Sequence, residues 1–193
     1  ALQEEKTTTV APLFPINIEL NSSDFLTIKD NMETLTNLGF LIEEFGLNTV
    51  VVRSHPTWIK EGYEEEDIRK VIDIIISEEK EAQILLQLDK FEKSEKFLKP
   101  ETSLNSVATL FKTNQTYLSD VINKHKGINF STYIHQLRIK YLLKELESNP
   151  KLQTYKISYL AEYCGYSSYE TFTRMFKTIV GTSPSSYLNS LKK

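Results

Sequence analysis

One pattern in this chain occurs twice, and the repetition constrains the fold more than any other feature. Between residues 157 and 187 (ISYLAEYCGYSSYETFTRMFKTIVGTSPSSY), Ile157, Leu160, Ala161 and Cys164 keep helical spacing up to Gly165, which tolerates the backbone of a tight turn. Ser167 or Ser168 then suits the cap of a second helix. That helix has Phe172, Met175, Phe176 and Ile179 on one face and Tyr169, Glu170, Thr173 and Arg174 on the other. The same frame stands 54 residues earlier: Leu118 matches Phe172, Ile122 matches Phe176, Gly127 matches Gly181, Tyr133 matches Tyr187 and Leu137 matches Leu191. Ahead of the turn the offset is 53, with Ala108 matching Ala161, so the second turn is one residue longer.

Each copy predicts a helix-turn-helix. In the first, Thr102 or Ser103 starts a scaffold helix with Leu104, Val107, Ala108 and Phe111 inward. Asn114 starts the next helix, with Leu118, Val121 and Ile122 inward and Gln115, Thr116, Ser119, Asp120 and Asn123 outward. A linker helix over about residues 130–146 joins the copies before Asn149 and Pro150 break it. In such a motif the second helix enters the major groove, and two motifs on a rigid linker address grooves about 10 base pairs apart. Arg174 then suits guanine, Glu170 the cytosine amino group, and Tyr169 or Thr173 a thymine methyl or a phosphate. Gln115 suits adenine, Thr116 and Ser119 are adaptable, and Asp120 is repelled by phosphates unless it meets a cytosine amino group. Lys112, Asn123, Lys124, Lys126, Lys140 and Lys177 are the candidate phosphate contacts.

Charge supports that division of labour. Residues 1–80 hold 7 Lys+Arg against 16 Asp+Glu, a net −9, and residues 81–193 hold 16 against 10, a net +6; together they give the −3 of the chain. A polyanion partner suits only the second half.

Gly165, Tyr166, Ser167, Phe172, Phe176, Lys177, Gly181, Ser183, Pro184 and Tyr187 resemble the signature of the AraC family of bacterial transcription regulators. In the first copy Gly127, Phe130, Tyr133 and Arg138 stand where that family has its glycine, its buried aromatics and the linker-helix arginine. The resemblance covers about residues 81–193. It implies a DNA-binding, non-enzymatic domain located in the bacterial cytoplasm at the nucleoid. Leu142 departs from it, at a position usually held by alanine, and suggests looser or repacked contact there.

The first half has a different grammar. Phe14, Ile16, Ile18 and Leu20 alternate with Pro15, Asn17 and Glu19, a half-buried strand in which proline suggests an edge or a strand start. Asn21 to Ser23 cap a helix through Phe25, Ile28, Met32, Leu35 and Leu38, ended by Gly39. FLIEEF and NTVVVR form a hairpin around Gly46 to Asn48, and the acidic run Glu64 to Asp67 opens a further helix. Leu38, Gly39, Phe45, Gly46, Val52, Arg53, Pro56 and Trp58 resemble a segment of the C-terminal region of MutL, the mismatch-repair protein, over about residues 10–77. The endonuclease motif of that family is missing, and Thr7 stands where many members begin a sliding-clamp motif with glutamine, which argues against clamp binding.

The expected fold is thus a small α/β (β-α-β-β-α) unit over residues 1–77, followed over 78–193 by an all-α domain with two helix-turn-helix motifs joined by a linker helix. The expected function is a sequence-specific DNA-binding transcription regulator. The alternative is a non-catalytic dimerisation or partner-binding module of a MutL-like repair protein. Double-stranded DNA is the expected partner, with a homodimer or protein partner through residues 1–77, in a composite or truncated chain. No phosphate loop, nucleophile elbow or metal-ligand spacing suggests a cofactor or an enzyme; His55, His125 and His135 are too scattered. Neither a signal peptide nor a membrane anchor is expected, and single Cys164 has no partner for a disulfide.

Overall fold

The structure, a computed structural model, describes residues 8–191. Thr7, at the position of the clamp-motif glutamine, therefore lies outside the described residues. The chain divides into two compact units between Ala82 and Gln83. The division falls inside one uninterrupted helix, α3 (Glu64–Lys93), which has no Pro or Gly to stop it.

In the first unit the central strand is β4 (Thr49–Pro56), which pairs antiparallel with β1 (Thr9–Val10), β2 (Ile16–Glu19) and β3 (Leu41–Glu44). Ile16 and Ile42 both face Val52, and Ile18 faces Val50, so alternation puts one apolar side of the sheet against the helices. The expected single helix after β2 is two: α1 (Ser22–Asp30) and α2 (Met32–Asn37). Asn31 separates them by turning its side-chain amide onto the Thr27 carbonyl at 2.9 Å. Ile18, Ile28, Leu35, Phe40, Val50, Val52, Ile68 and Ile72 form the core. The short strand β1 was not anticipated, because its two residues carry no alternation to detect.

The second unit is wholly helical. After α3 come a 3-10 turn (Glu95–Leu98), α4 (Leu104–Leu110), α5 (Gln115–Lys126) and α6 (Phe130–Ser148). A second 3-10 turn (Pro150–Thr154), α7 (Ile157–Tyr163), α8 (Tyr169–Val180) and α9 (Pro184–Leu191) complete it. Two cores form side by side. Phe91, Phe97, Val107, Leu118, Ile122 and Tyr133 belong to one, and Leu160, Cys164, Phe172, Phe176 and Leu188 to the other. Helix α6 supplies both: Phe130, Tyr133 and Ile134 enter the first, Ile139, Leu142 and Leu146 the second. Leu142 is fully buried, so its extra volume is repacked rather than loosely held.

Candidate nucleic-acid interface

The pairs α4–α5 and α7–α8 close in the same way. After α4 the Lys112 amide donates to the Thr109 carbonyl (3.1 Å) and the Thr113 amide to the Ala108 carbonyl (2.9 Å). After α7 the Gly165 amide donates to the Glu162 carbonyl and the Tyr166 amide to the Ala161 carbonyl, both at 2.9 Å. The chain passes through left-handed backbone each time, at Lys112 (φ 55°) and Gly165 (φ 87°). Lys112 is exposed, whereas a Cβ at Gly165 would run into the Leu98 backbone carbonyl, so the second turn admits only glycine. The 53-residue offset belongs to these closures. The 54-residue offset begins at the caps, where the Asn114 side chain accepts from the Tyr117 amide (2.8 Å) and Ser168 from the Thr171 amide (3.2 Å). Of the alternatives left by the sequence, Ser168 and Ser103 are the caps.

Along α5, Gln115, Thr116, Asp120 and Asn123 are exposed and Ser119 is half-buried. Gln115 is already held, its amide donating to the Asn105 side-chain oxygen of α4 at 3.0 Å. Along α8, Tyr169, Glu170 and Arg174 are exposed. The Glu170 carboxylate is stabilised below its ordinary value by its own backbone amide and then by the Ser168 hydroxyl at 3.0 Å, the geometry of an acidic side chain at a helix start. Thr173 differs from expectation: it is half-buried, with its hydroxyl oxygen enclosed and without a hydrogen-bond partner among the described residues.

The lysines fall into different settings. Lys112 and Lys177 are exposed, Lys112 in the turn between α4 and α5 and Lys177 in the last turn of α8. Lys124 and Lys126 sit in the last turn of α5, where cations favour the helix dipole. Lys126 is committed within the unit: it pairs with Glu92 at 2.7 Å, and Glu92 also accepts the Tyr133 hydroxyl at 2.9 Å. Burial and that carboxylate raise the Tyr133 hydroxyl well above its ordinary range. Lys140 lies on α6, in a cleft against the 95–98 turn.

A cluster whose contacts the sequence did not indicate, although Arg138 and Tyr166 already carried the family resemblance, ties α6 to the 97–99 segment and to the turn before α8. Arg138, only 6% exposed, donates from Nε to the Phe97 carbonyl (2.8 Å) and from Nη2 to the Lys99 carbonyl (2.7 Å). Its guanidinium also lies 5.4 Å from the ring centre of Tyr166, in the turn before α8. His135 stacks on the same ring at 5.3 Å, with Nδ1 3.0 Å from the Tyr166 hydroxyl. Burial, then the charges of Arg138 and Arg174, hold the His135 imidazole below its ordinary value and so neutral. The signal was present: Arg138 interrupts an apolar row, Ile134 to Leu142, at helical spacing. Cys164, beside this cluster, is fully buried and its thiol is pushed up to about 12 by that burial.

Comparison with known proteins decides what the second unit is. The family described as a helix-turn-helix domain matches residues 107–190. The basic unit carries a helix-turn-helix domain of the AraC type. This helix-turn-helix domain is similar to the C-terminal domain of AraT, a response regulator from Geobacillus stearothermophilus: 26% identity over 56% of this chain and 84% of that one, TM-score 0.48. It is also similar to the C-terminal domain of the response regulator yesN from Fusobacterium nucleatum, with 22% identity over 53% of this chain and 94% of that one, TM-score 0.46.

Ahead of the helix-turn-helix domain, residues 1–92 match the MutL C terminal dimerisation domain. The chain is 32% identical over 129 residues to the DNA mismatch repair protein MutL of Shouchella clausii, covering 63% of this chain and 20% of that protein. It is 44% identical over 68 residues to MutL of Ligilactobacillus salivarius, covering 35% and 10%. The chain thus spans a fifth or less of the length of these relatives. Among the described residues no group of three or more His, Cys, Asp or Glu is arranged to hold a metal, and no helix is long and apolar enough to cross a membrane.

Proposed function

We propose that this chain is a sequence-specific DNA-binding transcription regulator, with α4–α5 and α7–α8 as two helix-turn-helix motifs that address successive major grooves. The observation that supports this reading is the repeated closure, in which each pair has the same hydrogen-bonded turn and a capped, outward-facing second helix. Gln115, Thr116, Ser119 and Asp120 on α5, and Tyr169, Glu170 and Arg174 on α8, meet base edges. Thr173 contributes through its methyl group. Lys112, Asn123, Lys124, Lys126 and Lys177 meet phosphates, Lys126 by exchanging its Glu92 partner for the backbone. Residues 1–77, the α/β part, supply self-association or a protein partner, and the chain works in the bacterial cytoplasm.

Selection of bound sequences from random duplex DNA tests this, with affinities measured at two salt concentrations. A motif of two blocks about 10 base pairs apart, weakened by salt, is the expected result. Arg174→Ala should cost about 1–3 kcal/mol on the selected site and little on random DNA. Absence of any enriched sequence would reject the regulator reading. It would favour the second one, a non-catalytic module of MutL type, for which the match of residues 1–92 is the motive.

A further inference from the structure

A cleft of about 450 Å³ opens in the second unit between the last turn of α3, the 95–98 turn and α6. Its size lies in the range of small-ligand pockets. One wall is a single α6 face: Leu137, Lys140, Tyr141, Lys144 and Glu145 follow at helical spacing. Phe97 and Tyr141, which meet edge to face at 6.1 Å, make the other apolar lining.

The charges around this cleft are unequally committed. Glu92 is taken by Lys126 and the Tyr133 hydroxyl, and Glu145 accepts the Tyr163 hydroxyl at 2.8 Å. Glu95 engages Tyr141, and Lys93 pairs with Asp89 at 2.6 Å. Lys140 and Lys144, exposed and one turn apart, form no ion pair among the described residues. Of the three carboxylates only Glu92 is paired with a cation, Glu95 and Glu145 each meeting a tyrosine hydroxyl and keeping their charge, and two ammonium groups with six donors between them stand over an apolar floor.

We propose that this cleft binds a small organic phosphate, with the dianionic head between Lys140 and Lys144 and the carbon body against Leu137, Phe97 and Tyr141. The reading goes beyond DNA recognition and makes Lys140 a ligand residue rather than a backbone contact. Because Phe97 also holds Arg138 through its carbonyl, an occupant would rest on the segment that positions the second motif.

The test is calorimetric titration of the full chain with phenyl phosphate, phenol and inorganic phosphate. The double variant Lys140→Gln/Lys144→Gln is run in parallel, and both proteins are assayed on random duplex DNA. Saturable phenyl phosphate binding is expected, at least tenfold tighter than either fragment. The double variant should lose at least tenfold of it and keep the helical circular dichroism. No saturable binding, or equal binding by the variant, overturns the proposal. A tenfold loss of duplex affinity without phenyl phosphate binding also overturns it and assigns both lysines to the DNA backbone.

Discussion

Replacing Gly165 by alanine tests the account of the second turn. Two costs add there. The left-handed backbone (φ 87°) costs a residue with a Cβ about 1–2 kcal/mol, partly offset by about 0.4–1 kcal/mol from the stiffer unfolded chain. The new Cβ must also displace the Leu98 carbonyl, which is main chain and cannot rotate away, at about 1–3 kcal/mol. The sum is about 1–5 kcal/mol. Gly181 is the control: its φ is 84° but nothing lies within 4 Å of its Cβ position, so Gly181→Ala should cost about 1 kcal/mol or less. Urea unfolding followed by the far-ultraviolet helix signal measures the difference. The fluorescence of Trp58, the single tryptophan, lies in the first unit and reports whether that unit is unaffected. At ordinary urea sensitivities the Gly165→Ala midpoint falls by roughly 0.5–2.5 M. Equal losses for the two alanine variants would refute the steric argument and leave backbone conformation alone.

Arg138→Lys retains the charge but has no planar fork to reach both the Phe97 and Lys99 carbonyls; a loss of about 2–3 kcal/mol is expected in the same assay, and a loss below about 0.5 kcal/mol would remove Arg138 as the staple. His135 is depressed below its ordinary 6.5, so the unfolded chain takes up a proton first as pH falls. The contribution of this site is therefore complete above about pH 7 and declines as pH drops through 6.5, and His135→Phe should flatten the stability profile between about pH 7 and 5. An unchanged slope would place the acid sensitivity elsewhere. Lys112→Gly relieves a left-handed residue and should leave stability within about 1 kcal/mol, while lowering affinity for selected and random duplexes alike; a loss confined to the selected site would make Lys112 a base reader.

Periodicity made the helices of the second unit legible because their apolar stripes are wide and their stops are chemical: Gly127 and Gly181 end α5 and α8 in left-handed conformation. The offset change from 54 to 53 even located the longer turn. What was not legible depends on contacts between segments distant in sequence. Nothing local indicates that Gly165 rests on Leu98, that Arg138 reaches back to Phe97, or that Glu92 answers Lys126 and Tyr133. The first unit illustrates the same limit: a side chain, Asn31, split a helix that its apolar spacing described as continuous. Among the site candidates, exposure separates Arg174 from Thr173, a distinction that a helical wheel drawn from sequence leaves ambiguous.

Membership of α6 in two cores also governs how such a chain can change over generations. Inserting one residue between Ile134 and Ile139 would lengthen the helix by about 1.5 Å but swing everything beyond it by about 100°, pulling either Phe130 and Tyr133 or Leu142 and Leu146 out of register. Seven residues would restore the phase to within about 20° while adding about 10 Å. The distance between the two helix pairs can therefore drift only in jumps of whole turns, and lineages that need a different spacing have an easier route through the loops flanking α6 than through the helix itself.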